Sequence, residues 1–159
     1  MARREWCVAA ALLAPACGGS GTTGPEAPAI AVAGEYVIHK TVTSDTCGLS
    51  RPGDAFDNPG TVRHTPGPGP FVLNDHGSRD LPGTVRTDGT FDLQPSSGLV
   101  MNTIAARDTF SEGRFTPAGF SLRDTTDLEA SPVAGAPPGP CRVVATWSAA
   151  KQGAPNVIP

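Results

Sequence analysis

The chain has 159 residues, 38% of them hydrophobic, with 19 Gly and 17 Pro, which suits one folded domain and falls just below the glycine and proline content of a disordered low-complexity chain. Its formal net charge is -3 and it has no basic run, so the electrostatic footprint of a nucleic-acid-binding protein is missing. Gly and Pro are poor residues for helix interiors, and the composition therefore points to short strands joined by many turns.

Residues 1–17 carry a short basic head, Arg3 and Arg4 beside Glu5, followed by an apolar stretch from Trp6 to Ala16 broken by Pro15. This is the charged and then apolar order of a secretory signal peptide. An apolar run of about eleven residues is too short to cross a hydrocarbon core, which takes about 20 in a helix.

The run ends in Leu12, Leu13, Ala14, Pro15, Ala16 and Cys17, with Gly18, Gly19, Ser20 and Gly21 behind it. Here the chain resembles the bacterial lipoprotein family, whose lipobox sets Leu, a small residue and Ala or Gly before a cysteine that takes diacylglycerol and becomes the mature N-terminus. Leu13 stands one place further from the cysteine than in that family, and Ala14 holds the usual Leu position. The resemblance implies lipidation at Cys17, anchoring to the membrane through the lipid and, with Gly18 after the anchor in a Gram-negative cell, the outer membrane. Ala14, Pro15 and Ala16 also form an ordinary secretory cleavage site, which leaves soluble secretion as the alternative. Of the four cysteines, Cys7 would leave with the signal peptide. Acylation of Cys17 would then leave Cys47 and Cys141 to pair in an oxidising compartment, the alternative being two buried thiols.

Residues 18–32 are rich in Gly, Ser, Thr, Pro and Ala, with Glu26 the one charge, and read as a flexible linker that would hold a domain roughly 20 Å from its anchor. The first predicted strand spans 34–43, with Tyr36, Ile38 and Val42 on one face. Residues 51–60, rich in Pro and Asp, read as a loop. Short Val-, Phe- and Thr-rich runs follow at 61–65, 71–74 and 81–87. Asp88 and Gly89 between alternating runs predict a two-residue hairpin with positive φ at both positions. Residues 99–107 read as a strand or a short helix. Two further runs, 109–115 and 120–126, form a hairpin around residues 116–119, with Phe110, Phe115, Phe120 and Leu122 as core contributors. Residues 131–140 are a loop, and 141–148 form the last strand, with Val143, Ala145 and Trp147 on one face.

The expected fold is all-β, an antiparallel up-and-down barrel or sandwich of about eight or nine short strands. Residues 1–16 would be the signal peptide, 17–32 the anchored linker, 33–150 the β domain and 151–159 a tail. If the first and last strands pair antiparallel, Cys47 and Cys141 fall at the same end and a disulfide would staple them. Gly34, Glu35 and Tyr36 resemble the Gly-x-Trp opening of lipocalin-type barrels, with Tyr36 in place of Trp and with Arg142 and Trp147 as its implied partners.

The chain carries three histidines, His39, His64 and His76, far apart and outside any metal-ligand spacing. The run Asn74, Asp75, His76, Gly77, Ser78, Arg79, Asp80 places a base beside a hydroxyl and carboxylates, yet it is also ordinary turn composition. Asp54, Asp57 and Asn58, and likewise Asp124, Asp127 and Glu129, lack the spacing of a calcium loop and read as solvated turn residues. No cofactor, metal or catalytic residue is therefore assigned. The leading expectation is a cell-envelope lipoprotein whose β domain is a binding or structural module for a small apolar ligand or an envelope protein. In it Tyr36, Phe91, Phe110 and Trp147 would line a cavity. The alternative is a secreted or anchored hydrolase using His76 or His64 with a carboxylate.

Overall fold

The computed structural model describes residues 29–75, 79–100, 104–131, 136–137 and 139–159. The expectations for the signal peptide, Cys17 and most of the linker, and for His76, lie outside the described residues. Among the described residues nine strands follow one another: β1 (Gly34–Asp45), β2 (Ala55–His64), β3 (Gly69–Asp75), β4 (Arg79–Val85), β5 (Thr90–Leu93), β6 (Ser96–Val100), β7 (Ile104–Thr116), β8 (Gly119–Leu128) and β9 (Cys141–Lys151). The all-β expectation holds, and of barrel and sandwich the chain forms the barrel.

Every pairing is antiparallel, and the sheet runs β5-β4-β3-β2-β1-β9-β8-β7-β6 with a further β5–β7 pairing that closes eight strands into a barrel and leaves β6 outside it. β5 and β6 lie along the same edge of β7 in a single register, Phe91 facing Gly113 and Ser96 facing Asp108. Two prolines explain why β4 follows β5 but not β6. The β4–β5 ladder runs from Val85 to Gly83, and Gln94 then donates its N–H to the Pro82 carbonyl at 2.8 Å. Pro82 has no N–H to return, and Pro95 has none either, so the ladder stops there. The wall consequently opens between the start of β4 and β6.

Three local expectations are corrected. Residues 55–60 belong to β2 and pair with β1, Pro59 facing Val37 and Asp57 facing His39. β3 reaches no further along β2 than Gly60, so this half of β2 is an edge on which a proline costs no ladder bond. The 99–107 run is divided between β6 and β7, whose pairing brings Val100 opposite Ile104. The hairpin at Asp88 and Gly89 forms, but Arg86 donates from its N–H to the Thr90 carbonyl at 2.8 Å, making the loop three residues long. Only Gly89, at φ 80°, takes positive φ there, while the Asp88 carboxylate accepts from the Thr90 N–H at 3.0 Å and hydroxyl at 2.6 Å. Glycine is also required at Gly113, in the bulged part of β7, where a Cβ would run into the backbone and ring of Phe91.

The interior is layered along the barrel axis. At the end bearing Gly34, Val85 and Lys151, the aromatic rings of Tyr36, Phe71, Phe91, Phe115 and Phe120 pack with centroids 4.6–6.0 Å apart. That end is sealed by chain on both sides of the barrel strands. Ile30 and Val32 are fully buried, and Ala31 bridges Val157. Asn156 donates from Nδ2 to the Thr116 and Gly119 carbonyls at 2.8 and 3.1 Å, while its Oδ1 lies 2.7 Å from the Tyr36 hydroxyl. The packed unit therefore reaches beyond the expected 33–150, because two apolar residues of the linker and one amide of the tail are needed to cover the aromatic core. At the other end Ile104, Ala106, Leu128 and Cys47 form a smaller apolar cluster.

β1 and β9 do pair antiparallel, and Cys47 and Cys141 are joined by a disulfide, their Cα atoms 5.1 Å apart. Cross-linking residues 94 apart in sequence removes chain entropy from the unfolded state worth at most about 4 to 5 kcal/mol. Replacing both cysteines by serine should lower the stability by up to that amount and leave the β-sheet circular dichroism in place, as measured by denaturant unfolding. An unchanged midpoint would show that the unfolded chain gains nothing from the cross-link.

Candidate functional site

Alternation along β1 turns Tyr36, Ile38, Lys40 and Val42 inward, and thus carries an ammonium group into the barrel. The same period on β8 turns Phe120, Leu122 and Asp124 inward. Asp75 ends β3 and Arg79 begins β4, and Asp108 on β7 faces Thr126 across the β7–β8 ladder. Five ionisable side chains from five strands thus form one layer between the aromatic core and the small cluster beside the disulfide.

Lys40 Nζ donates to Asp75 Oδ2 at 2.6 Å, with both side chains 9% exposed, and stands 3.7 Å over the Trp147 ring. Arg79 is ion-paired with Asp108 and lies 3.6 Å from Asp75. It also donates to Ser96 Oγ at 3.3 Å, and so spans the opening between β4 and β6 with its side chain. Asp108 accepts further from the hydroxyls of Thr126 at 2.6 Å and Ser96 at 3.2 Å. Phe110 packs edge-on to Trp147, with Arg79 5.9 Å from its centroid.

Asp124 is different. It is 9% exposed, its Oδ1 is sealed from solvent without a hydrogen-bond partner, and no ion pair reaches it among the described residues. Burial, reinforced by the charge of Asp108, pushes its carboxyl up from 3.8 to about 7, against the opposing pull of Arg79 and Lys40. The indole Nε1 of Trp147 is likewise buried and unpartnered among the described residues.

The layer reaches the surface through a cleft of about 480 Å³ at the β4–β6 opening, walled by Asp75, Arg79, Ser96, Gly98, Asp108 and Thr126 among others. A larger groove of about 720 Å³ lies nearby, between the disulfide and the β6–β7 arm. Among the described residues it holds no buried unpartnered polar group.

The expected site residues are distributed otherwise. Tyr36, Phe91 and Trp147 are interior, at 1–3% exposure, with Tyr36 packed on Phe120, Phe91 on Phe115 and Trp147 edge-on to Phe110. Arg142 stands on the outer wall, where Asp127 accepts from its Nε at 2.6 Å, and does not partner Tyr36. Lys151 does so instead, its Nζ 5.6 Å from the Tyr36 ring. Burial raises the Tyr36 hydroxyl to about 12, with Asn156 opposing the rise. His64 is bonded through Nε2 to the Gly67 carbonyl at 2.9 Å and lowered by burial, and no carboxylate pairs with it among the described residues. His39 pairs with Asp57 at 2.7 Å on the outer wall, the two side chains 50% and 64% exposed. Ser148 faces His39 across the β1–β9 ladder, yet no hydroxyl bonds to the imidazole among the described residues.

Asp124 and Asp127, read from sequence as solvated turn residues, are strand residues, one inside and the other paired with Arg142. Lys40 and Asp108 carry no reading in the sequence and Asp124 only that of a turn carboxylate, although each is a charge set at the inward period of a strand that is otherwise apolar or aromatic on that face. Asp75 and Arg79 did fall in the run singled out around His76, but as turn composition.

Two outcomes follow for stability. Lys40→Met should cost up to about 3 to 5 kcal/mol by removing the nearer of the two cations beside buried Asp75, whereas Lys40→Met with Asp75→Leu should cost much less, measured by urea unfolding. Equal losses would show that the pair acts only as packing. For Asp124 the folded chain holds its proton more tightly than the unfolded chain, so the associated stability is present below pH 3.8 and is lost as pH rises through about 7. The loss is at most roughly 4 kcal/mol. Asp124→Asn should therefore flatten the decline of stability between about pH 4 and 7, followed by thermal unfolding at each pH.

Compared with family models, curated proteins and solved structures, the chain matches none.

Proposed function

We propose that this protein is an exported, lipid-anchored module of the cell envelope whose disulfide-stapled barrel binds a small molecule at the charged layer. The observation that carries the binding reading is the layer itself. Five ionisable groups sit inside a small barrel that would be more easily stabilised by apolar side chains, and they lie behind a cleft of small-molecule size. Charges buried at such a cost in an accessible cleft are the usual mark of a functional site. The aromatic end, filled and sealed, argues against an apolar ligand deep in the barrel.

Export is supported by the disulfide, which persists in oxidising compartments, and by the basic and apolar order of residues 1–17. Anchoring rests on the lipobox resemblance at Cys17. Ile30 enters at the sealed end, so a tether through the preceding residues would attach opposite the charged mouth.

Native mass spectrometry of the protein purified from its own host should show acyl chains on Cys17 and a retained small molecule that Gly98→Phe, at the wall of the cleft, releases. Cys17→Ser should move the protein out of the membrane fraction. An unmodified N-terminal cysteine would establish soluble secretion instead, and a mouth that binds nothing would leave a structural module.

A further inference from the structure

The charges of the layer do not balance among themselves. Asp75 is matched by Lys40, and Asp108 by Arg79 together with two hydroxyls. Both cations are engaged, and each also stands over an aromatic ring, Lys40 over Trp147 and Arg79 over Phe110. Asp124 is the third carboxylate, and among the described residues the layer has no third cation. The residue is 9% exposed, and its Oδ1 meets no donor among the described residues. When it ionises, the layer is short of one positive charge.

Building on the binding reading above, we infer that the charged mouth takes an organic ammonium ion, a primary amine on a short apolar chain, with Asp124 as its counter-ion. Thr126, which lines the cleft, is preceded on the inward face of β8 by Asp124, one step further into the barrel. Gly98, Leu99 and Ala106 supply apolar wall for the chain. An ammonium needs one buried carboxylate and neighbouring acceptors. A hard metal ion needs six or more oxygens, and among the described residues no three His, Cys, Asp or Glu side chains converge to hold one.

A proton and the ammonium compete for the same carboxyl. The groups facing Asp124 are Lys40 from β1, Asp75 from β3, Arg79 from β4 and Asp108 from β7, and with burial they leave it half-protonated near neutrality. Amine binding therefore strengthens as pH rises toward about 7 and levels off above it.

The test is an NMR titration of the folded mature chain with n-butylamine, n-butanol and butyrate at about pH 6 and about pH 8. The amine should saturate shifts at Ser96, Asp108 and Thr126, bind roughly tenfold tighter at the higher pH, and bind at least roughly tenfold tighter than either other probe. Asp124→Asn should remove both the preference and the pH dependence. Gly98→Phe, at a position where an added Cβ meets open space, should block the amine without touching the charged groups. Equal binding of amine and alcohol, or an affinity indifferent to pH, would overturn the inference. If butanol or butyrate saturates the mouth while the amine does not, the binding site stands and its ligand class is wrong. If none of the three binds, the binding site falls with it.

Discussion

Pairing of the first strand with the last is the constraint on which the rest of the molecule depends. β1 and β9 meet in a register that places Lys40 directly opposite Trp147 and brings Cys47 beside Cys141. Without that pairing the sheet would keep two long edges, each a row of unsatisfied N–H and carbonyl groups. With it, the strands close, and only the β6–β7 arm extends past the closure. The same ladder that satisfies the backbone therefore also delivers an ammonium to the face of an indole. Fold and site share one cause.

A barrel of eight strands encloses little more than its own side chains. Large aromatic residues take up the lower interior here, and the terminal segments close over them, Ile30 and Val32 from one side and Asn156 from the other. Above the aromatics the composition changes from ring to charge. Lys40 and Asp75 offset one another's desolvation through a hydrogen-bonded pair, and Arg79 does the same for Asp108. Asp124 has no such compensation among the described residues, and its raised proton affinity is the consequence. A stable barrel does not need this layer, and departures from local consistency of that kind concentrate at functional sites.

The opening above the layer has a covalent origin. Pro82 and Pro95 end the β4–β5 ladder, and β6 continues along β7 without β4. Arg79 then spans the opening with its side chain, where a ladder would have used backbone. Two residues without N–H groups thus turn one stretch of wall into a mouth, at the end of the barrel opposite the sealed one.

Several features were legible from the chain alone, and the reason is that each is local. The period-2 runs gave the strands, Asp88 and Gly89 gave a hairpin, and the positions of Cys47 and Cys141 gave the staple once the end strands were paired. The three-residue loop at that hairpin and the strand through Pro59 were not legible. A loop's length is settled by the register of its flanking strands, and Pro59 is tolerated only because β3 stops at Gly60. The site was half legible. Alternation marks Lys40 and Asp124 as inward, but inwardness by itself does not say which charges will meet. Lys40 and Asp75 lie 35 residues apart in sequence, and Arg79 and Asp108 lie 29 apart. Only the stagger of strands in the closed barrel brings them to one level, and only that arrangement leaves Asp124 without a cation of its own among the described residues.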